Sequence, residues 1–219
     1  MIDAPSPNHD SRDGHAVDIL LLHYTGMQSG KAAIARLRDP AAKVSAHYVV
    51  EEDGRVFHLV PEDRRAWHAG VSSWMGESNI NQRSIGIEIV NPGHEFGYRA
   101  FPAAQMSAVR DLSLGIIARH AIPAARVIGH SDVAPVRKED PGELFDWQGL
   151  AAAGVGVWPL PRPVRWSDDD FFVALQRYGY GIADRAAVTR AFCRHFRQRL
   201  LTDGPDAELA AILNGLLAA

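Results

Sequence analysis

The sequence predicts an α/β fold, with a mixed central β-sheet flanked by helices, followed by a small C-terminal three-helix bundle. Short apolar runs typical of buried strands alternate with stretches whose apolar residues recur every three or four positions, which is the pattern of α/β proteins. A proline-rich segment then interrupts the chain. Beyond it only helical patterns remain, which indicates a separate helical bundle.

The first predicted elements are a strand, a helix and a hairpin. Residues 16–23 (AVDILLLH) form an apolar run that predicts a buried strand with His23 at its carboxyl end. Residues 29–37 predict a helix that ends before a proline. Two β-rich runs joined at Asp53-Gly54 predict a hairpin. The polar residues before the first strand show no such pattern and are interpreted as a tail.

The second group of elements begins with residues 84–91. This strand alternates, with Ile85, Ile87 and Ile89 on one face and Gly86, Glu88 and Val90 on the other. Residues 102–120 predict a long helix with a proline at its start. Residues 126–130 predict a short strand that ends in His130, and residues 144–152 predict a closing helix.

The proline-rich segment divides the chain into two predicted domains. Three prolines within residues 157–164 leave little room for a helix or a central strand. We therefore expect a main domain over residues 1–156, a stiff linker over 157–165 and a helical domain over 166–219. In the last of these, Ser167 and the three aspartates that follow predict a capped helix start.

Composition excludes several classes of protein. The 23 basic and 26 acidic residues give a net charge of -3, which argues against nucleic-acid binding and against a polybasic membrane patch. Cys193 is the one cysteine, so neither an internal disulfide nor a thiolate metal cluster can form. No apolar run is long enough for a membrane span. Because no secretory signal is visible at the N-terminus, we expect a cytoplasmic protein, or a periplasmic one if the chain has been trimmed.

Two predicted strands end in histidine, and this suggests a metal site. His23 and His130 can each offer an imidazole nitrogen, and Asp140 can offer a carboxylate. Pro141 favours extended backbone at Asp140, so Lys138 would face the same region. Two imidazoles and one carboxylate leave a fourth position open, as in catalytic zinc sites. Each residue taken alone has an equally simple explanation as a surface or core residue, and the two histidines are not a compact motif.

Glu88 is the candidate catalytic base. It lies in an otherwise apolar strand, where a carboxylate is costly unless it is paired or functional. Gly86, on the same face, would leave space beside it for water or substrate. Glu88 could accept a proton from the attacking water and pass it to a leaving amine, and Lys138 could stabilise the oxyanion. An ion pair is the alternative explanation for Glu88.

Five segments, in this order, resemble the zinc N-acetylmuramoyl-L-alanine amidases of the AmpD/AmiD type (the Amidase_2 family), which are relatives of the peptidoglycan recognition proteins. They are LLLHYTG, VSAHYVVEEDGRVFHLV, AWHAGVSSW, NINQRSIGIEIVNPG and IGHSDVAPVRKEDPG, and they cover roughly residues 17–150. The resemblance implies one Zn²⁺ ion held by His23, His130 and Asp140. It also implies that Glu88 is the catalytic acid–base residue and that Lys138 assists it.

The same resemblance implies substrate contacts and a reaction. Ala134 and Arg137 match positions that contact the muropeptide, and Trp67 matches a wall of the substrate cleft, although a core aromatic is the alternative. We interpret His47 and His68 as structural. The implied reaction is hydrolysis of the amide between N-acetylmuramic acid, in its 1,6-anhydro form, and L-alanine of muropeptides or peptidoglycan fragments. The rival function is a non-catalytic peptidoglycan-binding or sensing protein, in which a ligand or the glutamate would be expected to be missing.

The C-terminal helices resemble the three-helix peptidoglycan-binding module that is often attached to such amidases. The similarity lies in FFVALQRYGYGI and AVTRAFCRHF. Some glycines expected around the second helix are missing. A region that only packs against the catalytic domain therefore stays an alternative to glycan binding.

Overall fold

A six-stranded mixed sheet forms the centre of the computed structural model, which describes residues 1–218. Across the sheet the strands follow the order β1 (Ile2–Asp3), β5 (Val56–His58), β4 (Tyr48–Val50), β9 (Ser84–Ile89), β3 (Ile19–Tyr24) and β10 (Val127–Gly129). Strands β4 and β5 form the predicted antiparallel hairpin, and the other neighbouring strands are parallel. The predicted mixed sheet is therefore confirmed.

The remaining elements surround this sheet. Two short antiparallel pairs lie outside it, β2 (His9–Ser11) with β6 (Arg64–Ala66) and β7 (Ser73–Trp74) with β8 (Glu77–Ser78). The α-helices of the described residues are α1 (Gly30–Arg38), α2 (Ile80–Arg83), α3 (Gly93–Phe96), α4 (Ala103–His120), α5 (His130–Val133), α6 (Trp147–Ala152), α7 (Asp168–Tyr178), α8 (Arg185–Phe196) and α9 (Ala207–Leu217).

The two central strands, β3 and β9, run parallel and place His23 directly opposite Glu88. The predicted alternation along β9 is confirmed. One face of the two strands joins a buried hydrophobic cluster through Leu20, Leu22, Ile85, Ile87 and Ile89. Helix α4 covers that face with Val109 and Ile116. Each such buried side chain stabilises the fold by roughly 1.5–3 kcal/mol, so the strand pair is firmly held and its opposite face can carry polar residues.

The N-terminal residues are not a free tail, and that interpretation was wrong. Strand β1 pairs with β5 and strand β2 pairs with β6. Arg12 is buried, and its guanidinium donates hydrogen bonds to the backbone carbonyls of Glu62, Asn81, Gln82 and Ser84. Burial lowers the pKa of Arg12 to about 10. The segment is polar because its side chains satisfy buried backbone groups, which a hydrophobicity pattern does not detect.

The predicted C-terminal bundle is confirmed as three helices, α7, α8 and α9. Side chains of Ser167, Asp184 and Asp206 cap their first turns. Residues 157–164 contain neither helix nor strand and lie against α9, where Arg162 and Ala211 share a backbone hydrogen bond. Among the described residues, no helix combines the length and the hydrophobicity that a membrane span requires.

Glu62 ties the end of α4 to the sheet. Its carboxylate accepts hydrogen bonds from the Tyr48 hydroxyl at 2.7 Å, from Arg119 at 2.6 Å and from His120 at 2.7 Å. Burial raises the pKa of Glu62, but these hydrogen bonds outweigh it and lower the pKa from 4.5 to about 2. Because the folded state holds the ionised form, the stabilisation is present above pH 4.5 and is lost as the pH falls towards 2.

We expect Glu62→Gln to lower the free energy of unfolding by about 2 kcal/mol at pH 7. Urea denaturation at a series of pH values measures this. The difference from wild type should shrink as the pH falls from 5 towards 2. Glu52→Gln, which breaks an exposed pair with Arg99, is the matched control and should change stability little. An equal loss for Glu62→Gln at every pH would contradict the assignment.

Candidate active site

Three predicted ligands meet at the carboxyl ends of adjacent parallel strands. His23 lies near the end of β3, His130 follows β10 directly as the first residue of α5, and Asp140 lies in the loop after α5. The Nδ1 atoms of the two histidines are 2.9 Å apart, and Asp140 Oδ2 is 3.1 Å from His23 Nδ1 and 3.0 Å from His130 Nδ1. All three side chains are buried. The structure therefore brings the three residues into one cluster.

The chemistry of the three donor atoms fits a metal ion. His130 Nε2 lies 3.0 Å from the carbonyl oxygen of Ala69, which only accepts, so Nε2 carries the proton and Nδ1 presents its lone pair. Asp140 Oδ2 also presents lone pairs, 3.0 Å away. Such buried groups repel one another unless a cation or proton lies between them. Their separations are slightly shorter than the roughly 3.3 Å expected between ligands of a tetrahedral zinc ion.

Protonation states in the cluster also suit metal binding. Burial, and the charge of the neighbouring His130, lower the pKa of His23 to about 4. Burial acts to raise the pKa of Asp140, but the charges and hydrogen bonds of His130 and His23 outweigh it and hold that pKa well below its usual range. The favoured forms of His23 and Asp140 are therefore a neutral imidazole and an ionised carboxylate, which are the forms that bind metal ions.

A chain of hydrogen bonds orients the His23 ring through Nε2, the nitrogen that does not face His130 and Asp140. Its Nε2 lies 3.0 Å from Nδ1 of His68, whose Nε2 lies 3.3 Å from the hydroxyl of Ser84. That hydroxyl donates to the carbonyl of Ile80 at 2.7 Å. If Nδ1 of His23 is to bind a metal, Nε2 must donate to His68, and the chain provides the acceptor. The sequence interpretation of His68 as a packing residue missed this contact, because the strand pattern does not show which histidine lies behind another.

Gly86 leaves space, but for His68 instead of water or substrate. A Cβ atom at this position would lie 2.6 Å from Cγ and Nδ1 of the His68 ring. The predicted open space beside Glu88 is therefore wrong at this point. The glycine allows the imidazole to pack flat against β9, next to His23.

Glu88 lines the same groove as two of the candidate ligands, His130 and Asp140. Its Oε2 atom is buried and has no hydrogen-bond partner among the residues that the structure describes. Burial raises the pKa of Glu88 well above its ordinary value, the charge of Asp140 adds to this, and the charge of Lys138 opposes it. A carboxylate without a protein partner, facing a groove, is available to a water molecule or a substrate.

The groove has a volume of about 550 Å³ and is open to solvent. Trp67 and Lys138 line it, and their predicted roles as a cleft wall and an auxiliary catalytic group stay predictions. Further lining residues that sequence reasoning did not find come from the end of β3, the loop after it, helix α1 and helix α3. They include Tyr24, Met27, Arg36 and Phe96. No local pattern identifies them, because they share only a position in space.

Arg137 lines a pocket, whereas Ala134 is buried in the protein core. Arg137 donates hydrogen bonds to the carbonyls of Ala69 and Val71, and it lines a smaller pocket beside the groove with Lys138. The side chain of Ala134 is buried in a hydrophobic cluster. A substrate contact by either residue stays a prediction.

A mixed α/β fold with a buried His-His-Asp cluster beside a carboxylate in an open groove is the arrangement typical of metal-dependent hydrolases. Residues 13–143 match the family model described as N-acetylmuramoyl-L-alanine amidase, Amidase_2, and this chain belongs to that family. The predicted AmpD/AmiD-type amidase and its α/β fold are confirmed by this match and by the relatives described next.

Curated relatives and solved structures agree with this assignment. N-acetylmuramoyl-L-alanine amidase AmiD of Escherichia coli is 36% identical over 92% of this chain and 82% of that protein. 1,6-anhydro-N-acetylmuramyl-L-alanine amidase AmpD of Citrobacter freundii is 35% identical over 68% of this chain and 87% of that protein. The E. coli AmiD structure, a complex with the substrate anhydro-N-acetylmuramic acid-L-Ala-D-γ-Glu-L-Lys, has a TM-score of 0.84, with 36% identity over 95% of this chain and 90% of that one.

A further structure similar to this chain is AmpDh3 of Pseudomonas aeruginosa in complex with anhydromuramic pentapeptide. It has a TM-score of 0.84 and 33% identity, and the match covers 97% of this chain and 94% of that one. The AmiD and AmpDh3 matches therefore include the C-terminal helices, whereas the AmpD match covers about two thirds of the chain.

We expect Gly86→Ala to weaken metal binding about tenfold, because the added methyl group must displace His68 from its contact with His23. Overpacking should also lower the free energy of unfolding by about 1–3 kcal/mol. Metal affinity, measured against a competing chelator, and urea denaturation test both. Gly204→Ala is the control, since nothing lies within 4 Å of a Cβ there. Unchanged metal affinity in Gly86→Ala would show that His68 does not orient His23.

Proposed function

We propose that this chain hydrolyses the amide bond between N-acetylmuramic acid, in its 1,6-anhydro form, and L-alanine of muropeptides during peptidoglycan turnover or recycling. The observation that carries the proposal is the Glu88 carboxylate, whose Oε2 has no hydrogen-bond partner among the described residues, in one groove with His130 and Asp140 of the cluster that also contains His23. The named activity of the AmpD relatives and the anhydromuramyl peptide ligands of the AmiD and AmpDh3 structures support this choice of substrate.

Zinc is the metal we propose for the cluster. Two imidazoles and one carboxylate are a donor set that suits Zn²⁺, and they leave a position for solvent or substrate. When bound, zinc would lower the pKa of water to about 7 and polarise the scissile carbonyl.

Glu88 would move the proton in this reaction. An amide nitrogen is a poor leaving group unless it is protonated, so the proton of the attacking water has to reach it. Glu88 lies opposite His23 on the neighbouring strand and has a free carboxylate oxygen in the groove. Its carboxylate can take the proton from water on one side and deliver it to the amine of L-alanine as the C–N bond breaks.

Lys138 would stabilise the charge that develops on the carbonyl oxygen. It lines the groove two residues before Asp140, and an ammonium group close to the scissile carbonyl favours the oxyanion over the neutral carbonyl. We further propose that Trp67, Ala134 and Arg137 contact the substrate. Trp67 lines the groove and Arg137 the adjoining pocket.

The division of the chain into domains is also part of the proposal. Residues 1–156 would be the catalytic domain, 157–165 the linker and 166–219 a helical domain similar to a peptidoglycan-binding module. The three capped helices and the nearly full-length match to AmiD and AmpDh3 support this division. The cytoplasmic compartment stays a prediction that cell fractionation can test.

We expect Glu88→Gln to bind zinc as wild type does and to lose at least about 100-fold in kcat, because the amide cannot accept the proton. Metal analysis and turnover of anhydro-muropeptide measure the two effects. Asp140→Ala is the contrasting variant, which should lose both zinc and activity. Normal turnover in Glu88→Gln would rule out its role as the base.

Mass spectrometry of the products tests the substrate. Incubation with anhydro-muropeptide should release free stem peptide and anhydro-N-acetylmuramic acid. A chelator should abolish this release, and added Zn²⁺ should restore it. Intact sacculi and a muropeptide with a reduced, non-anhydro sugar are the comparison substrates. Release from neither anhydro nor reduced muropeptide by the zinc-loaded protein would refute the proposed function.

A further inference from the structure

The C-terminal helices share a hydrophobic core with the segment that carries two of the metal ligands. Phe171, Leu175 and Phe192 of the helices lie in one buried cluster with Ile128 and Val133 of the main domain. The latter two residues flank His130 in the sequence. A mobile module on a linker would not be expected to contribute side chains to the core beneath the site.

A buried carboxylate links the two parts next to His130. Asp132, two residues further along α5, has no exposed surface. It accepts hydrogen bonds from the N–H of Gly129 at 2.7 Å, from the Tyr180 hydroxyl at 2.5 Å and from Nδ1 of His195 at 2.8 Å. Tyr180 follows α7 and His195 lies in α8, so two of the three donors come from the C-terminal helices.

The His195 ring is held in position by aromatic side chains. Its centroid lies 3.9 Å from Trp147 and 3.8 Å from Phe196, in stacked arrangements. Within residues 1–218 its Nε2 has no hydrogen-bond partner. The ring therefore makes one directed polar contact, and that contact is with the helix that begins at His130.

Arg194, the residue before His195 in α8, contacts the other end of the segment between His130 and Asp140, which we call the ligand loop. Arg194 is almost fully buried, and it donates a hydrogen bond to Oε1 of Glu139 at 2.6 Å. Its Nε lies 3.8 Å from Glu143. Glu139 immediately precedes Asp140. Two consecutive side chains of one helix thus hold the loop beside each of its two metal ligands.

We propose that Arg194 and His195 are positioning residues for the metal centre, which set the separation of His130 and Asp140 through Glu139 and Asp132. The inference rests on the proposed function, because it requires that the cluster binds zinc. The residues between the two ligands have little regular structure beyond the single turn of α5. Arg194 and His195 are adjacent in one hydrogen-bonded helix, so together they fix the distance between the two anchored points. Outer partners of this kind commonly change metal affinity 10- to 100-fold.

The test measures zinc affinity directly in the full-length protein. Arg194→Met and His195→Leu keep much of the side-chain volume and remove the polar contacts. We expect each to weaken Zn²⁺ binding at least about tenfold in competition with a chelating dye. We also expect a changed visible spectrum of the Co²⁺-substituted protein. His195→Asn places an amide N–H near the position of Nδ1 and should recover much of the affinity.

The control is Arg190→Met. Arg190 lies on the same helix, but it pairs with Asp203 at the surface instead of with Glu139 or Asp132. It should bind Zn²⁺ as wild type does. Variants that are folded by circular dichroism, bind Zn²⁺ like wild type and give its Co²⁺ spectrum would overturn the positioning role and leave the proposed function intact. A wild-type protein that binds no Zn²⁺ would overturn both.

Discussion

The parallel register of β3 with β9 and β10 is the constraint on which the site depends. Parallel strands end at the same edge of a sheet, so their last side chains meet there. In this protein the register places His23 opposite Glu88, and β10 delivers His130 to the same edge. The apolar residues on the opposite face of these strands favour this register, because a shift by one residue would exchange them with the side chains of the face that carries His23 and Glu88. Core packing and site geometry are therefore two consequences of one pairing.

Around the three candidate ligands lies a layer of contacts that orients the two imidazole rings. The carbonyl of Ala69 fixes the ring of His130, and His68 supports the ring of His23. Gly86 makes room for His68 on the strand that carries Glu88. Such outer contacts matter because buried lone pairs that converge without a cation are unfavourable, and only a rigid surround keeps them together.

The C-terminal helices contribute to this layer of supporting contacts and do not form an isolated module. Their aromatic residues complete the core under Ile128 and Val133, and α8 contacts the loop between the ligands on both sides. AmpD of C. freundii matches about two thirds of this chain, whereas AmiD matches nearly all of it. In this chain the additional helices are joined to the catalytic core by a buried carboxylate, which makes an independent motion of the two parts costly.

Much of this protein follows from the sequence alone. Alternation in residues 84–91 and the apolar run before His23 predict the two central strands, since burial of one face imposes a period of two. The His23, His130 and Asp140 set and Glu88 are recognisable from their residue types and their family segments. Only the tertiary structure shows the contacts that support these residues. They are the burial of Arg12, the packing of His68 on Gly86, and the hydrogen bonds of Arg194 and His195 to the ligand loop. These contacts join residues far apart in the chain through hydrogen bonds and close packing, which leave no periodic trace in the sequence because each depends on a single pair of side chains meeting in space.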